Sequence, residues 1–412
     1  MRWLYLLFLA PGLIFGQTND RRRVESQAFN KNESIAKKAK ATWWRSGNFG
    51  LTPELSLSNL GYDSNIFSAE TDEEDDLLVT PRAGIEAWYS SSTKWAWQNS
   101  AAYNYRYYAD QERLREPEYS IDSILHGMFH KTYLEGGFTS RNGQGRQTSE
   151  QLQRVGSNRR NFFIKSIFQL TARSHLLADA TVYSIRYDEP EGSSGSYNGL
   201  ERDSRRLSAK YLHKVNPRFW PFVGVAQETF DFKEGGNPRQ DAQFTGLLAG
   251  ARNEKGERVH YSIELGSEDL SFDNAPQVED TIITGKALME YNLSRVSVIT
   301  VGGLRGPLFS LSTDYAFFVS SRLSFDYTYR FARGVRMTSG VLLGNNSYDN
   351  PLEPVAVERS DDYRRFDVDL KFPLGGLFNV TVRTGFENRD SNLPNLSHDG
   401  FSILSDFSYK FQ

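Results

Sequence analysis

From residue 49 onward, apolar and polar residues alternate with a period of two along almost the whole chain. Residues 401–412, F-S-I-L-S-D-F-S-Y-K-F-Q, place Phe401, Ile403 and Phe407 on one face and Asp406 and Lys410 on the other. Successive side chains of a β-strand point to opposite faces, so this pattern predicts an amphipathic strand. A tilted strand crosses a bilayer in roughly 9–11 residues. The segment is therefore either the closing strand of an outer-membrane barrel or the last strand of a soluble all-β domain.

The other segments repeat this pattern, with two irregular cases. In the longest segment, residues 315–331, aromatic and aliphatic side chains alternate with Arg, Ser, Asp and Thr. Residues 219–232 change phase near Gly224, and residues 176–187 mix the two faces. A β-bulge inserts one extra residue and shifts the phase, so we predict a bulge in each of these two segments.

The connecting segments alternate in length, and this alternation favours the barrel. Eight short turns are interleaved with nine longer polar loops, which predicts eighteen strands, with sixteen as the alternative. Short turns on one rim and long loops on the other are typical of outer-membrane barrels. We therefore predict an all-β fold, a transmembrane antiparallel up-and-down β-barrel. An even strand number places both ends of the barrel on one rim, so residues 401–412 should pair with residues 49–59.

Composition is compatible with this fold and excludes several functions. The 412 residues are 39% hydrophobic, have a mean hydropathy of −0.55 and carry a formal net charge of −3. Only every second residue of a barrel wall meets lipid, so a polar average is expected. The nearly balanced charge argues against a nucleic-acid partner. The chain has no Cys, which excludes disulfides, thiolate metal sites and a thiol nucleophile.

The N-terminal region divides into two parts ahead of the barrel. Residues 1–16 contain one Arg followed by an almost unbroken apolar run, which predicts a cleaved signal peptide. Residues 17–48 are basic and polar and are expected to form a flexible periplasmic tail. Residues 49–412 are assigned to the barrel.

Two short runs resemble a known family. Residues 60–67, L-G-Y-D-S-N-I-F, resemble the signature at the first outer loop of a family of outer-membrane β-barrel porins, which includes barrel proteins associated with exopolysaccharide export. The run Y-R-F-A-R-G-V-R-M-T-S-G within residues 321–346 is also similar to that family. The resemblance implies a barrel in the bacterial outer membrane, together with barrel-assembly machinery, outer-membrane lipid and lipopolysaccharide as partners.

The predicted inward face carries charges of both signs. Its candidate lumen-lining residues are Arg82, Glu86, Arg106, Arg206, Lys210, Glu264, Lys286, Glu290, Arg322, Asp326, Arg330, Arg365, Asp367, Asp369, Lys371, Arg383 and Glu387. One interpretation is a pore whose cations attract anionic solutes such as acidic sugars. The other is that opposite charges on neighbouring strands pair and only satisfy the wall.

Signals for other chemistry are weak. The acidic run at residues 71–76 lacks the spacing of a dedicated calcium loop and is interpreted as a solvated loop. His126 and His130 would lie about 13 Å apart on a strand, too far to share a metal ion. His398 beside Asp399 is the only hint of a catalytic pair, and inward Trp88 is interpreted as packing rather than a sugar platform. We predict no cofactor, no metal and no enzymatic activity.

The sequence therefore favours a porin-like outer-membrane barrel, reached by export through a cleaved signal peptide. It would serve the passage of polysaccharide or of other polar solutes. The alternative is an outer-membrane barrel enzyme or adhesin that acts through its outer loops.

Overall fold

The computed structural model describes residue 35 and residues 42–66, 73–92, 94–145, 155–188, 197–233, 242–253, 258–273, 280–310, 315–348, 358–375, 377–393 and 396–411. Eighteen antiparallel strands form one closed barrel, and a short additional strand precedes them. The predicted signal peptide, residues 1–16, lies outside the described residues. Among the described residues, no helix is long and apolar enough to cross a membrane.

Each strand of the barrel contains 11 to 16 residues. The strands are β1 (Trp44–Ser46), β2 (Phe49–Asp63), β3 (Asp76–Tyr89), β4 (Trp95–Tyr108), β5 (Glu116–Met128), β6 (Thr132–Gly145), β7 (Val155–Gln169), β8 (Ser174–Asp188), β9 (Arg202–His213), β10 (Trp220–Phe232), β11 (Ala242–Arg252), β12 (Val259–Ser271), β13 (Asp280–Asn292), β14 (Ser297–Phe309), β15 (Phe317–Arg330), β16 (Arg336–Tyr348), β17 (Arg359–Leu374), β18 (Phe378–Ser391) and β19 (His398–Lys410). Short 3-10 turns cover Glu112–Leu114, Asn198–Leu200 and Ala332–Gly334.

The last strand closes the barrel on the first, as predicted. β19 pairs antiparallel with β2, from Lys410 opposite Glu54 to Ser402 opposite Asp63. The count of eighteen barrel strands is confirmed, and the alternative of sixteen is wrong. We call the rim at which β2 begins and β19 ends the short-turn rim, and the opposite one the long-loop rim.

The end of the predicted tail belongs to the folded structure. β1 forms a hairpin with β2, in which Trp44 lies opposite Leu51. The backbone N–H of Trp43 donates to the Thr52 hydroxyl, and the Trp43 ring meets Phe411 edge-on at 5.3 Å between centroids. Residues 17–34 and 36–41 lie outside the described residues, so flexibility there stays a prediction.

The two predicted bulges are absent, and a different one occurs in the pairing of β2 with β19 that closes the barrel, which we call the seam. β8 and β10 pair with their neighbours in continuous register. The register shift lies in β2 near Asn59, whose φ is 53° and whose N–H donates to Asp406 of β19. The sequence looked irregular in β10 because Phe222 and Phe230 point inward, while Val223 and Val225 between them point outward.

Outward and inward faces differ as they do in membrane barrels. Side chains such as Ile164, Leu247 and Leu265 are 65%, 69% and 60% exposed on the outward face. The buried apolar side chains form separate clusters near the two rims of the interior. Exposure of alternate apolar residues around the wall is what a lipid solvent requires.

Candidate functional site

All seventeen predicted lumen-lining residues occupy inward positions of the wall. Each alternates with outward side chains, as Arg206 and Lys210 do with Leu207 and Tyr211, which are 60% and 42% exposed. The strand period of two fixes this placement once the barrel is closed. Contact of these residues with a solute stays a proposal.

Much of the inward charge is paired, in line with the second interpretation of these residues. Neighbouring strands supply some of the partners: Arg106 bonds Glu118 at 2.7 Å and Arg206 bonds Glu228 at 3.2 Å. Arg383 lies between two carboxylates, 3.0 Å from Asp369 and 3.4 Å from Asp406. Arg365 bonds Asp367 of its own strand at 2.8 Å.

Three of these carboxylates, Glu118, Glu228 and Asp406, are not among the predicted lumen-lining residues, although the alternation already put Asp406 on the polar face of its strand. Each occupies an inward position of its strand, at the same alternation as Asp122, Phe230 and Leu404. Applying the period of two to every residue of each strand would have identified them.

One ion pair spans three neighbouring strand spacings. Nζ of Lys210 on β9 lies 2.5 Å from a carboxylate oxygen of Glu264 on β12. Gly224 of β10 lies opposite Lys210, and Gly250 of β11 lies opposite Glu264. A Cβ atom at Gly224 would approach Cγ of Lys210 to 2.7 Å, so the glycine leaves room for the side chain to pass.

The β14–β15 hairpin leaves the wall at its long-loop end. The ladder between β13 and β14 stops at Gly285 opposite Arg305, although β14 continues to Phe309. The ladder between β14 and β15 continues to Phe309 opposite Phe317. A Cβ atom at Gly306 would lie 4.0 Å from the methyl group of Thr284, a buried inward side chain of β13. The hairpin end therefore passes across the inner face of β13.

Aromatic contacts place this hairpin end inside the barrel. The ring of Phe309 lies 4.8 Å from Phe230, 5.0 Å from Phe232 and 5.6 Å from Phe244, measured between centroids. These partners belong to β10 and β11, and four strand spacings separate β14 from β10, roughly 19 Å along the wall. Contacts this short require the hairpin to cross the interior.

The opposite face of the hairpin end meets β16. Phe318 stacks on Tyr348 at 4.8 Å between ring centroids, and Tyr315 meets the same ring edge-on at 5.2 Å. Phe317 stacks on Phe272, which follows β12, at 5.9 Å. The interior is thus narrowed by a layer of aromatic side chains between β10–β12 and β16. The sequence placed Phe317 and Val319 on the outward face, and the inward fold of the hairpin buries both.

A buried network of charges adjoins this constriction. The Asp361 carboxylate accepts from Arg359 at 2.9 Å, Arg389 at 2.7 Å and the Ser391 hydroxyl at 2.6 Å. The Asp361 side chain is 0% exposed, and the two arginines are 6% and 3% exposed. A carboxylate removed from water needs several such donors. Sequence reasoning missed this network because Arg359, Asp361 and Ser391 fall within residues 348–361 and 390–399, which the polar pattern predicts as loops, and Arg389 ends the strand before the second loop.

Residue 35 contacts the wall near the short-turn rim. Ile35 is 6% exposed and packs in a cluster with Trp88, Ala96, Met128 and Tyr133. Trp88 stacks on His126 at 6.1 Å between centroids, and His126 Nδ1 lies 2.9 Å from the Tyr133 hydroxyl. Trp88 is 2% exposed, so it packs here, as the sequence interpretation held.

The run that carries the family resemblance fastens the first long loop to the closing seam. Ser64 exchanges two hydrogen bonds of 2.9 Å with the backbone of Phe401, one through its N–H and one through its hydroxyl. The amide of Asn65 donates to the Asp399 carbonyl at 2.8 Å. Ile66 is fully buried in a cluster that includes Leu404. The motif therefore extends the β2–β19 contact beyond the end of the ladder.

Asp76, at the end of the acidic run, and His398 each have structural partners. Asp76 accepts backbone N–H bonds from Ala109, Asp110 and Gln111 at 2.9–3.2 Å and so holds the start of the second long loop. His398 Nε2 lies 3.7 Å from the Glu387 carboxylate, and its neighbour Asp399 points to the other face of the strand. Among the described residues, no group of three His, Cys, Asp or Glu side chains could hold a metal ion.

Solved structures of proteins from Pseudomonas aeruginosa and Acinetobacter baumannii share this fold. The chain is similar to the outer membrane protein OpdK of Pseudomonas aeruginosa, with a TM-score of 0.54, 11% identity, and coverage of 87% of this chain and 98% of that one. It is also similar to OpdQ of Pseudomonas aeruginosa, with a TM-score of 0.52, 12% identity, and coverage of 88% and 98%. OccAB3 of Acinetobacter baumannii gives a TM-score of 0.50, 13% identity, and coverage of 88% and 99%. No protein-family model and no curated protein matches the sequence. At such low identities the likeness establishes the fold.

Proposed function

We propose that this chain is a porin-like channel of the bacterial outer membrane that passes small polar solutes. The observation that carries the proposal is a closed eighteen-stranded wall, apolar outside and charged inside. A barrel of this size encloses more space than its own wall side chains fill. Export through a cleaved signal peptide and insertion by the barrel-assembly machinery belong to the same proposal.

Small solutes fit the interior better than a polymer chain does. The hairpin end and the Asp361 network both occupy the long-loop half of the interior. Unpaired charges in a lumen select solutes by the sign of their charge. Here much of the inward charge is paired, which leaves a weak net field. OpdK, which shares this fold, was solved with vanillate, a small molecule. Passage of polysaccharide would require the hairpin end to leave the interior.

Planar-bilayer conductance and liposome swelling test this proposal. Purified full-length protein should give discrete conductance steps and should admit monosaccharides and small organic acids faster than oligosaccharides. Absence of both conductance and solute flux would overturn the channel. Free passage of long oligosaccharides would favour the polysaccharide alternative. An adhesin or enzyme would show neither flux nor size dependence.

A further inference from the structure

The inward turn of β14 leaves a groove on the outward face of the wall. The groove measures about 560 Å³ and is lined by residues of β12 to β16. It lies where the β13–β14 ladder ends at Gly285 opposite Arg305. Beyond that pair, β13 has no described ladder partner on this side. The groove is therefore a consequence of the same hairpin that narrows the interior.

The groove has a floor of small side chains and walls of large apolar ones. Its floor is formed by Gly285, Ala287 and Gly303, which are neighbours across the β13–β14 pairing. Ile263 and Leu265 of β12 flank one side and are 45% and 60% exposed; Leu323 and Leu343 flank the other and are 53% and 45% exposed. The strands β12 and β15, which carry Leu265 and Leu323, lie three spacings apart, roughly 14 Å. Once the flanking side chains are counted, that width suits hydrocarbon chains but not an α-helix, whose diameter is about 10–12 Å.

Among the described residues that line the groove, Arg305 is the one cation on the outward face and lies at the long-loop end; Lys286 and Arg322 occupy inward positions. Arg305 is exposed on the outward face, and its guanidinium donates to the Ser321 hydroxyl at 2.7 Å. Within the described part of the chain no carboxylate forms an ion pair with Arg305. An arginine on a mostly apolar, lipid-facing surface is unfavourable unless it meets an anionic group at the interface.

We propose that this groove binds lipopolysaccharide, with an acyl chain along the glycine–alanine floor and a phosphate group against Arg305. The inference rests on the proposed outer-membrane placement, in which the long loops face outward. The Arg305 end of the groove then lies toward the outer leaflet, whose lipid joins acyl chains to phosphorylated sugars. The apolar floor of the groove thus matches an acyl chain of the lipid, and the charge of Arg305 matches its phosphate group.

The test is native mass spectrometry of the detergent-solubilised full-length protein with purified lipid A as the probe. We expect one tightly held lipid A molecule per barrel, and at least a tenfold weaker adduct in Arg305→Gln. Gly303→Leu should fill the floor and weaken binding to a similar extent. Arg160→Gln, at an exposed outward position on β7, is the matched control and should bind as the parent does.

Three outcomes would overturn the lipopolysaccharide site. They are equal binding in parent and Arg305→Gln, equal binding of dephosphorylated lipid A, and equal binding of phosphatidylglycerol. Retained band shifts on unheated gels would exclude misfolding of Gly303→Leu, and Ala287→Phe gives a second variant of the same floor. Bilayer conductance is measured on the same preparations. A silent but lipid-binding barrel would reject the channel alone, and a conducting barrel without the adduct would reject the groove alone.

Discussion

Lys210 and Glu264 form an ion pair across the inner surface of β10 and β11, with 2.5 Å between Nζ and the carboxylate oxygen. Their side chains are only 9% and 15% exposed, so each charge depends on the other for much of its stabilisation. The Lys210 ammonium also lies over the face of the Phe222 ring, 5.6 Å from its centroid. The ion pair fixes the relative positions of three adjacent ladders.

Removal of one partner of this pair should alter ion selectivity. Lys210→Met leaves the Glu264 carboxylate without its cation, so the proposed channel should become more cation-selective; Glu264→Gln should shift selectivity the other way. Reversal potentials in a salt gradient measure both. Loss of one partner should also cost about 3–5 kcal/mol of stability. The double variant should recover part of that cost, and additive losses would contradict the pairing.

Truncation of Phe309 should widen the interior of the barrel. Phe309→Ala removes the ring that contacts Phe230, Phe232 and Phe244, so the hairpin end loses its anchor on β10 and β11. We expect a larger single-channel conductance, together with a stability loss of about 3–5 kcal/mol from the buried aromatic residue. Phe401→Ala, on the outward face and 42% exposed, is the control and should leave conductance unchanged. An unchanged conductance in Phe309→Ala would place the constriction elsewhere.

A charge at residue 35 should change the conductance by releasing a contact at the short-turn rim. Ile35→Asp places a carboxylate in the apolar cluster of Trp88, Ala96, Met128 and Tyr133, which is unfavourable without a partner. Release of this contact should raise conductance or its fluctuation between open levels. Ile35→Leu keeps the apolar contact and should behave as the parent. Identical traces for both variants would mean that the contact does not obstruct flow.

Loss of the Asn65 amide should weaken the closing seam. Asn65→Ala removes the bond to the Asp399 carbonyl, and a typical hydrogen bond of this kind contributes about 1 kcal/mol. The temperature at which the folded band converts to the unfolded band, in samples heated stepwise before SDS electrophoresis, should fall. Asn158→Ala, which removes an exposed bond to the Tyr119 hydroxyl, is the matched control. An equal fall in both variants would argue against a special role for the seam.

The signal peptide is tested by the mass of the exported protein. Cleavage after Gly16 removes the apolar run, and the mature chain should then begin at Gln17. Intact mass or N-terminal sequencing of protein isolated from outer-membrane fractions measures this. A full-length chain in that fraction would contradict cleavage.

The sequence by itself determined the wall of this protein. Alternation with a period of two is a local property, so it identified the strands, their inward charges and, with the turn lengths, the number eighteen. The seam between β19 and β2 followed because an even number of strands brings both ends of the barrel to one rim.

Only the tertiary structure decided what fills the interior. Phe317 and Val319 have the same alternation as the outward Leu323 and Phe325, and nothing local distinguishes them. Their burial depends on the β14–β15 hairpin leaving β13, and on partners at Phe230, Phe244 and Phe272 that are distant in sequence. The ion pair of Lys210 with Glu264 likewise depends on two intervening glycines, Gly224 and Gly250, which leave room for the two side chains to meet. Alternation fixes the face of a side chain, whereas its contacts across the interior depend on the closure and bending of the whole sheet.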